Sequence, residues 1–429
     1  MKIRFFFLLV YMLMMSCSDD SPENYSASDL DLITKNVETS LTAKVGEELL
    51  LQLDYENAIG ELLFVWTIGN KVVSKRPIYP FIPTQAGQYF ISVYVEDAQG
   101  KYTNVQFKIE VEDEFAKNKV IAGYYSTSSS EPVPWNKITH LIYSYVYPTS
   151  EGSLQVTQLS RLQDYVEEAK KHDVKVLLSL GSLDNYPGKG DRVFTNVLND
   201  EEKRKNLVNF IYFLLVGYEL QGVDILYDEF EGNVVDYSQL NNMVPFLKEL
   251  RDILPYDMII TCSVTGGYGW KAYHYRDIAA DMADVADFIS VMAFDNFGTW
   301  EDSPLGRPSS LEDAKNALDR YVNFGVPQNK LVLGVPFFGR DFLRQSGGIA
   351  RPISYLDLLG RFVPTETELA TGHINRDGHN IFFNSQSIIS EKINYVKMNN
   401  FRGISAWQLE QDSGDEELSL LKNVHNQIN

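Results

Sequence analysis

Two patterns of hydrophobic positions divide the chain. From Leu41 to Asp113 short β-rich runs recur, at Leu49–Leu53, Leu62–Trp66, Tyr89–Val95 and Val105–Ile109. Turn residues separate them, which predicts a β-sandwich over residues 40–113. From Lys119 onward, apolar runs alternate with longer amphipathic stretches, for example at 199–219, 237–254 and 309–324. Eight strand candidates result: 119–125, 139–146, 174–181, 222–228, 258–265, 287–295, 330–337 and 402–409. Strands alternating with helices indicate a parallel α/β fold, and eight such units fit a (β/α)8 TIM barrel over residues 118–429. The link 341–401 carries a helical pattern at 386–400 and reads as too short for an additional α+β lid.

The N-terminus adds an address. Lys2 and Arg4 precede an apolar run from Phe5 to Met15, too short to span a bilayer and patterned as an export signal. Ser16 then Cys17 resembles a bacterial lipoprotein signal over residues 1–17, which implies Cys17 as the lipidated residue. Ser18-Asp19-Asp20 resembles the acidic tag of surface-exposed lipoproteins of Bacteroidetes. That likeness implies a lipid-anchored, cell-surface protein of the outer membrane, with residues 18–39 as a polar tether. An ordinary cleaved secretory signal is the alternative. Cys262 is the second of two cysteines, so the mature chain has no disulfide framework and Cys262 reads as a small core residue. The 429 residues leave room for two or three domains, and the net charge of −20 excludes nucleic acid as a partner.

The candidate chemistry lies in Gln221-Gly222-Val223-Asp224-Ile225-Leu226-Tyr227-Asp228-Glu229. It is a short apolar run with acids at alternate positions, Asp224 and Asp228, which a strand would point the same way. At the C-terminal mouth of a parallel barrel, such a strand delivers side chains into a cleft. The stretch resembles the Asp-Gly-x-Asp-x-Asp-x-Glu signature of glycoside hydrolase family 18, the chitinases and endo-β-N-acetylglucosaminidases. Gly222 and Asp224 match, whereas Gln221, Leu226 and Asp228 stand for the first Asp, the third Asp and the Glu. The likeness continues through Ala122–Tyr125, Ile138–Tyr145, Val176–Ser182, Met292-Ala293-Phe294-Asp295, Lys330–Arg340 and Gly403–Trp407. In the N-terminal part, Gln85–Tyr89 and Val95–Asp97 resemble an immunoglobulin-like (PKD-type) module. This implies a spacer in which Trp66 is a core anchor.

The family resemblance implies substrate-assisted hydrolysis, in which the acetamido oxygen of the sugar attacks its own anomeric carbon. In that scheme the Glu protonates the leaving oxygen, the third Asp steadies the cation, and the Tyr of Met-x-Tyr-Asp orients the acetamide. Here each is altered. Asp228 is one methylene shorter than Glu, and a misplacement of about an ångström can cost about 10²-fold. Leu226 removes a group aimed at developing charge, a loss of about 10²–10³, and Phe294 lacks the hydroxyl. A one-residue bulge offers a second register, in which Glu229 is the acid. The candidate catalytic residues are therefore Asp224, Asp228 and Glu229. The implied substrate-binding set is Tyr124, Ser179, Leu226, Met292, Phe294, Asp295, Phe338, Arg340 and Trp407, with Tyr124 and Trp407 as aromatic walls and floor. Asp224 also reads as a buried acid bonded to Ser179.

The six histidines show no metal-ligand spacing, and His373 and His379 read as parts of a solvated loop. No cofactor or metal is implied. The expected ligand is a glycan containing N-acetylglucosamine, an N-glycan core or chitin oligomer, bound without efficient cleavage. A working glycosidase of the same family and a barrel that binds a protein partner remain alternatives. An outer-membrane glycan transporter complex is a further implied partner.

Overall fold

The computed structural model describes residues 33–34, 38–45, 47–53, 55–56, 58–69, 71–83, 87–112, 119–155, 159–181, 193–226, 240, 242–267, 269–343 and 347–428. The chain divides into two compact units, 1–114 and 115–429.

In the first unit a five-stranded sheet runs in the order Ser40–Lys44, Tyr102–Glu112, Gly87–Glu96, Leu63–Ile68, Lys71–Ser74. A two-stranded sheet pairs Leu49–Leu51 with Tyr79–Phe81. Alternation decides which side chains meet: Ile91, Val93 and Val95 turn inward, as do Phe107, Ile109 and Val111. Both sheets contribute to one apolar core. Trp66 sits fully buried at its centre, 5.9 Å from the Phe107 ring, with Nε1 donating to the Arg76 carbonyl at 2.9 Å. It is a core anchor, as its sequence position predicts.

The second unit is a closed barrel of eight parallel strands. These are β1 (Val120–Ser126), β2 (His140–Pro148), β3 (Lys175–Gly181), β4 (Gly222–Leu226), β5 (Ile259–Thr265), β6 (Phe288–Met292), β7 (Leu331–Pro336) and β8 (Gly403–Trp407). Each pairs with its sequence neighbours, and β1 pairs with β8 to close the ring. Near-continuous Val, Ile and Leu runs suit strands covered on both faces. Helices at Glu201–Gly217, Met243–Ile253, Leu311–Asn323 and Gln386–Met398 cover the outside. All eight predicted strands are present. The sixth ends at Met292 rather than at 295, because Asp295 turns into a left-handed conformation with φ 62°.

The link after β7 differs from expectation. It builds a four-stranded antiparallel sheet in the order Arg351–Ser354, Phe338–Asp341, His379–Phe383, His373–Arg376, with helices at Tyr355–Phe362 and Glu366–Thr371. His373 and His379 therefore lie on paired strands, not in a solvated loop. Asp377-Gly378 forms the two-residue turn between them, both residues at positive φ (55° and 81°) as such a hairpin requires. His379 Nδ1 lies 2.6 Å from Asp341, and His373 Nε2 lies 2.7 Å from Asn380 Oδ1.

Candidate functional site

The C-terminal ends of the strands form the mouth of the barrel, and β4 carries its most unusual side chain. Asp224 points into the interior and is fully buried. It accepts hydrogen bonds from Thr261 Oγ1 at 2.6 Å, Ser179 Oγ at 3.0 Å, Tyr124 Oη at 3.3 Å and Ser263 Oγ at 3.3 Å. Burial pushes its pKa above the ordinary carboxylate value, while the four hydroxyls pull the other way. The predicted bond to Ser179 is present.

Tyr124 is fully buried as well, and its Oη also pairs with Ser263 Oγ. Burial first, then the neighbouring Asp224, pushes its phenol well above the usual range. Its ring lies 5.0 Å from Trp407. This corrects the expected aromatic wall: Tyr124 supports Trp407 from within the barrel and presents no face to a ligand. Strand alternation places Ala122 and Tyr124 inside, against Phe288 and Val332.

Two residues beyond Asp224, on the same face, Leu226 ends the strand at the mouth and is 9% exposed. Trp407 ends β8 and is half-buried. Its ring lies 6.0 Å from Phe294 and 6.1 Å from Tyr145, and Phe294 meets Phe338 edge-on at 5.8 Å. Met292 packs in the same cluster, and a Cβ on Gly334 would come within 2.8 Å of its sulfur, so β7 needs glycine there. Asp295 forms an ion pair with Arg340, whose guanidinium lies 5.2 Å from the Phe338 ring. Among the described residues the mouth thus joins an aromatic platform to the Asp295–Arg340 pair. Asp228, Glu229 and Cys17 lie outside the described residues. Among the described residues no three His, Cys, Asp or Glu converge on a common point.

Tyr145 was not among the predicted site residues. Tyr143, Tyr145 and Tyr147 alternate along β2, and Tyr143 packs outside against Tyr165. The β2–β3 register shifts between Ser144 and Val146, leaving Tyr145 as the extra residue and turning it toward Trp407. Gly181 permits this, since a Cβ there would lie 3.1 Å from the Tyr145 ring. The only sequence signal is the glycine at the end of β3. Gln221, at the first motif position, is structural: its Oε1 accepts from the Val176 amide at 2.8 Å and its Nε2 donates to the Glu219 carbonyl at 2.7 Å.

A model of glycosyl hydrolases family 18 matches residues 120–412. The chain belongs to that family. A chitinase-like effector from Moniliophthora perniciosa is 28% identical over 255 residues, 52% of this chain and 56% of the relative's own length. The chain therefore spans little more than half of that relative. The crystal structure of a chitinase from Bacteroides thetaiotaomicron is 25% identical, with TM-score 0.61 over 72% of this chain and 96% of the other. A class V chitinase mutant from Nicotiana tobaccum in complex with NAG4 shares the fold, at 17% identity and TM-score 0.60 over 72% and 98% of the two chains. In this family 18 barrel Asp224 and Ser179 are in hydrogen-bond contact, Leu226 ends β4 and Trp407 ends β8.

Proposed function

We propose that this family 18 barrel binds glycans containing N-acetylglucosamine, chitin oligomers or N-glycan cores, and does not cleave them efficiently. The observation that carries this reading is Leu226. It stands at the mouth on the same face as Asp224, where the family motif places the acid that steadies the cation. A hydrocarbon cannot stabilise charge that develops in the transition state. Phe294 beside Trp407 likewise offers no hydroxyl to orient an acetamide. Binding needs less: the apolar face of a sugar can stack on Trp407, and Asp295 with Arg340 can bond its hydroxyls. The complex of the tobacco relative with NAG4 supports the ligand class.

The test is isothermal titration of the purified chain with chitooligosaccharides and a high-mannose glycopeptide, followed by mass spectrometry of the same mixtures. Heat without new reducing ends is expected. Rapid release of product would establish the second reading instead, a working chitinase or endo-β-N-acetylglucosaminidase using Asp228 or Glu229. The likeness to a Bacteroides thetaiotaomicron chitinase favours that alternative.

The remaining parts of the proposal concern place and assembly. Cys17 is lipidated and tethers the protein to the outer surface of the outer membrane, beside a glycan transporter. The five-stranded and two-stranded sheets of the first unit form an immunoglobulin-like (PKD-type) spacer. The export pattern of residues 1–17 and the acidic Ser18-Asp19-Asp20 support the anchor. Metabolic labelling with a palmitate analogue, lost in Cys17→Ala, tests it.

A further inference from the structure

A cavity of about 200 Å³ opens among the helices Tyr355–Phe362, Glu366–Thr371 and Gln386–Met398, and shares none of its lining residues with the mouth. Leu369, Ala370 and Leu418 make one side apolar. The other side is the first turn of Gln386–Met398, where Ser385, Gln386 and Ser387 reach the cavity. Ser385 occupies the N-cap position but makes no capping bond, because its hydroxyl pairs with Ser387 Oγ at 2.9 Å. The first backbone bond of the helix runs from the Ile389 amide to the Ser385 carbonyl, so the amides of residues 386–388 precede it. An uncapped helix start presents N–H donors and partial positive charge, which suit an anion.

Tyr355 is an independent donor at the same place. It lines the cavity, is 1% exposed, and its hydroxyl makes no hydrogen bond among the described residues. Buried polar groups are normally paired, so an open donor in this wall calls for an acceptor. Burial, then the nearby Asp412, pushes the phenol above its usual range and keeps it protonated. Asp412 is not that acceptor: it is held by Ser419 Oγ at 2.7 Å and by the Leu420 and Leu421 amides at 2.9 and 3.0 Å. No Lys or Arg lines the cavity, which suits one negative charge rather than the two of a phosphate. At about 30 Å³ for each water-sized group, the space holds roughly six heavy atoms. We propose that this cavity binds a short-chain monocarboxylate. Its carboxylate meets the start of Gln386–Met398 and the Tyr355 hydroxyl, and its hydrocarbon tail lies against Leu369, Ala370 and Leu418.

Saturation-transfer NMR of butyrate with the full chain, at fixed ionic strength, tests this. A dissociation constant of about 1–10 mM is expected, with 1-butanol weaker by about tenfold or more and no displacement of butyrate by an equal concentration of inorganic phosphate. Tyr355→Phe keeps the ring and removes the donor, and should weaken butyrate by about fivefold or more. Ala370→Phe fills the cavity from its exposed rim and should abolish the signal. Each variant reports if the other does not fold. No transfer to butyrate at about 100 mM overturns the proposal. Butanol binding as tightly as butyrate, or phosphate displacing it, overturns the ligand class. Unchanged affinity in both folded variants overturns the assignment to this cavity.

Discussion

Asp224 is an acid held where water cannot reach it, and the price is visible in its surroundings. Thr261 and Ser263 from β5, Ser179 from β3 and Tyr124 from β1 direct four hydroxyls at one carboxyl group. Because burial raises its folded pKa, the folded state holds the Asp224 proton more tightly than the unfolded chain does. Its contribution to stability is therefore fully present below the ordinary carboxylate range and is lost as pH rises through the folded value. Asp224→Asn stays neutral at every pH. Its denaturant midpoint, compared with the parent from pH 4 to pH 8, should shift in the variant's favour as pH rises. A difference that stays flat with pH would show that Asp224 titrates as it does in water. The motif at 221–229 disclosed this residue because spacing along a strand dictates facing, and the likeness over Val176–Ser182 disclosed Ser179. It could not disclose Tyr145, which reaches the mouth only through an irregularity in the β2–β3 pairing. Nor could it show that Tyr124 lies beneath Trp407 rather than beside it, since that depends on which layer of the barrel each ring occupies.

The helix Gln386–Met398 carries a buried cation on its inner face. Lys392 is fully buried, and its Nζ donates to Ser309 Oγ at 2.6 Å, the Ser309 carbonyl at 3.1 Å and Asn384 Oδ1 at 2.5 Å. These bonds fasten the segment after β6 and the end of the inserted sheet to one helix. Burial lowers the Lys392 pKa to about 7; Asp313 opposes the shift and Arg307 adds to it. A base held more weakly in the fold than in the unfolded chain makes stability rise with pH between about 7 and the ordinary lysine value. Lys392→Met leaves the acceptors of Ser309 and Asn384 without their donor, at a cost of about 1–3 kcal/mol. The gap between parent and variant in urea unfolding should widen from pH 7 to pH 9. A constant gap would mean that Lys392 keeps its proton throughout. The helix itself was legible because its apolar positions recur at helical spacing. The sheet that precedes it was not: its strands are four or five residues long and mix charged with apolar positions. Only Asp377-Gly378 signalled a hairpin there, and a two-residue turn is easily read as loop.

At the scale of the whole molecule, the two units have separate apolar cores, one around Trp66 and one around and within the barrel. Hydrophobic patterning revealed both, since alternation with period two and the strand–helix rhythm are properties of contiguous sequence. What patterning leaves open is whether the cores stabilise each other, and their separation makes a direct prediction. Trp66 is fully buried, stacks on Phe107 and Tyr79, and donates its N–H to the Arg76 carbonyl. Truncating such a residue removes its burial and leaves a cavity, a loss of about 3–5 kcal/mol. That is comparable to the whole stability expected of a domain of this size. Trp66→Ala should therefore unfold the first unit near ambient temperature. The barrel keeps its own closed ring of strands and its Trp407 platform, so its thermal transition should move by less than a few degrees. Calorimetry of parent and variant would resolve two transitions, of which only one shifts. Titration with chitotetraose would then give the same dissociation constant for both proteins. A joint collapse of the two transitions would show instead that the barrel depends on the N-terminal unit for its stability.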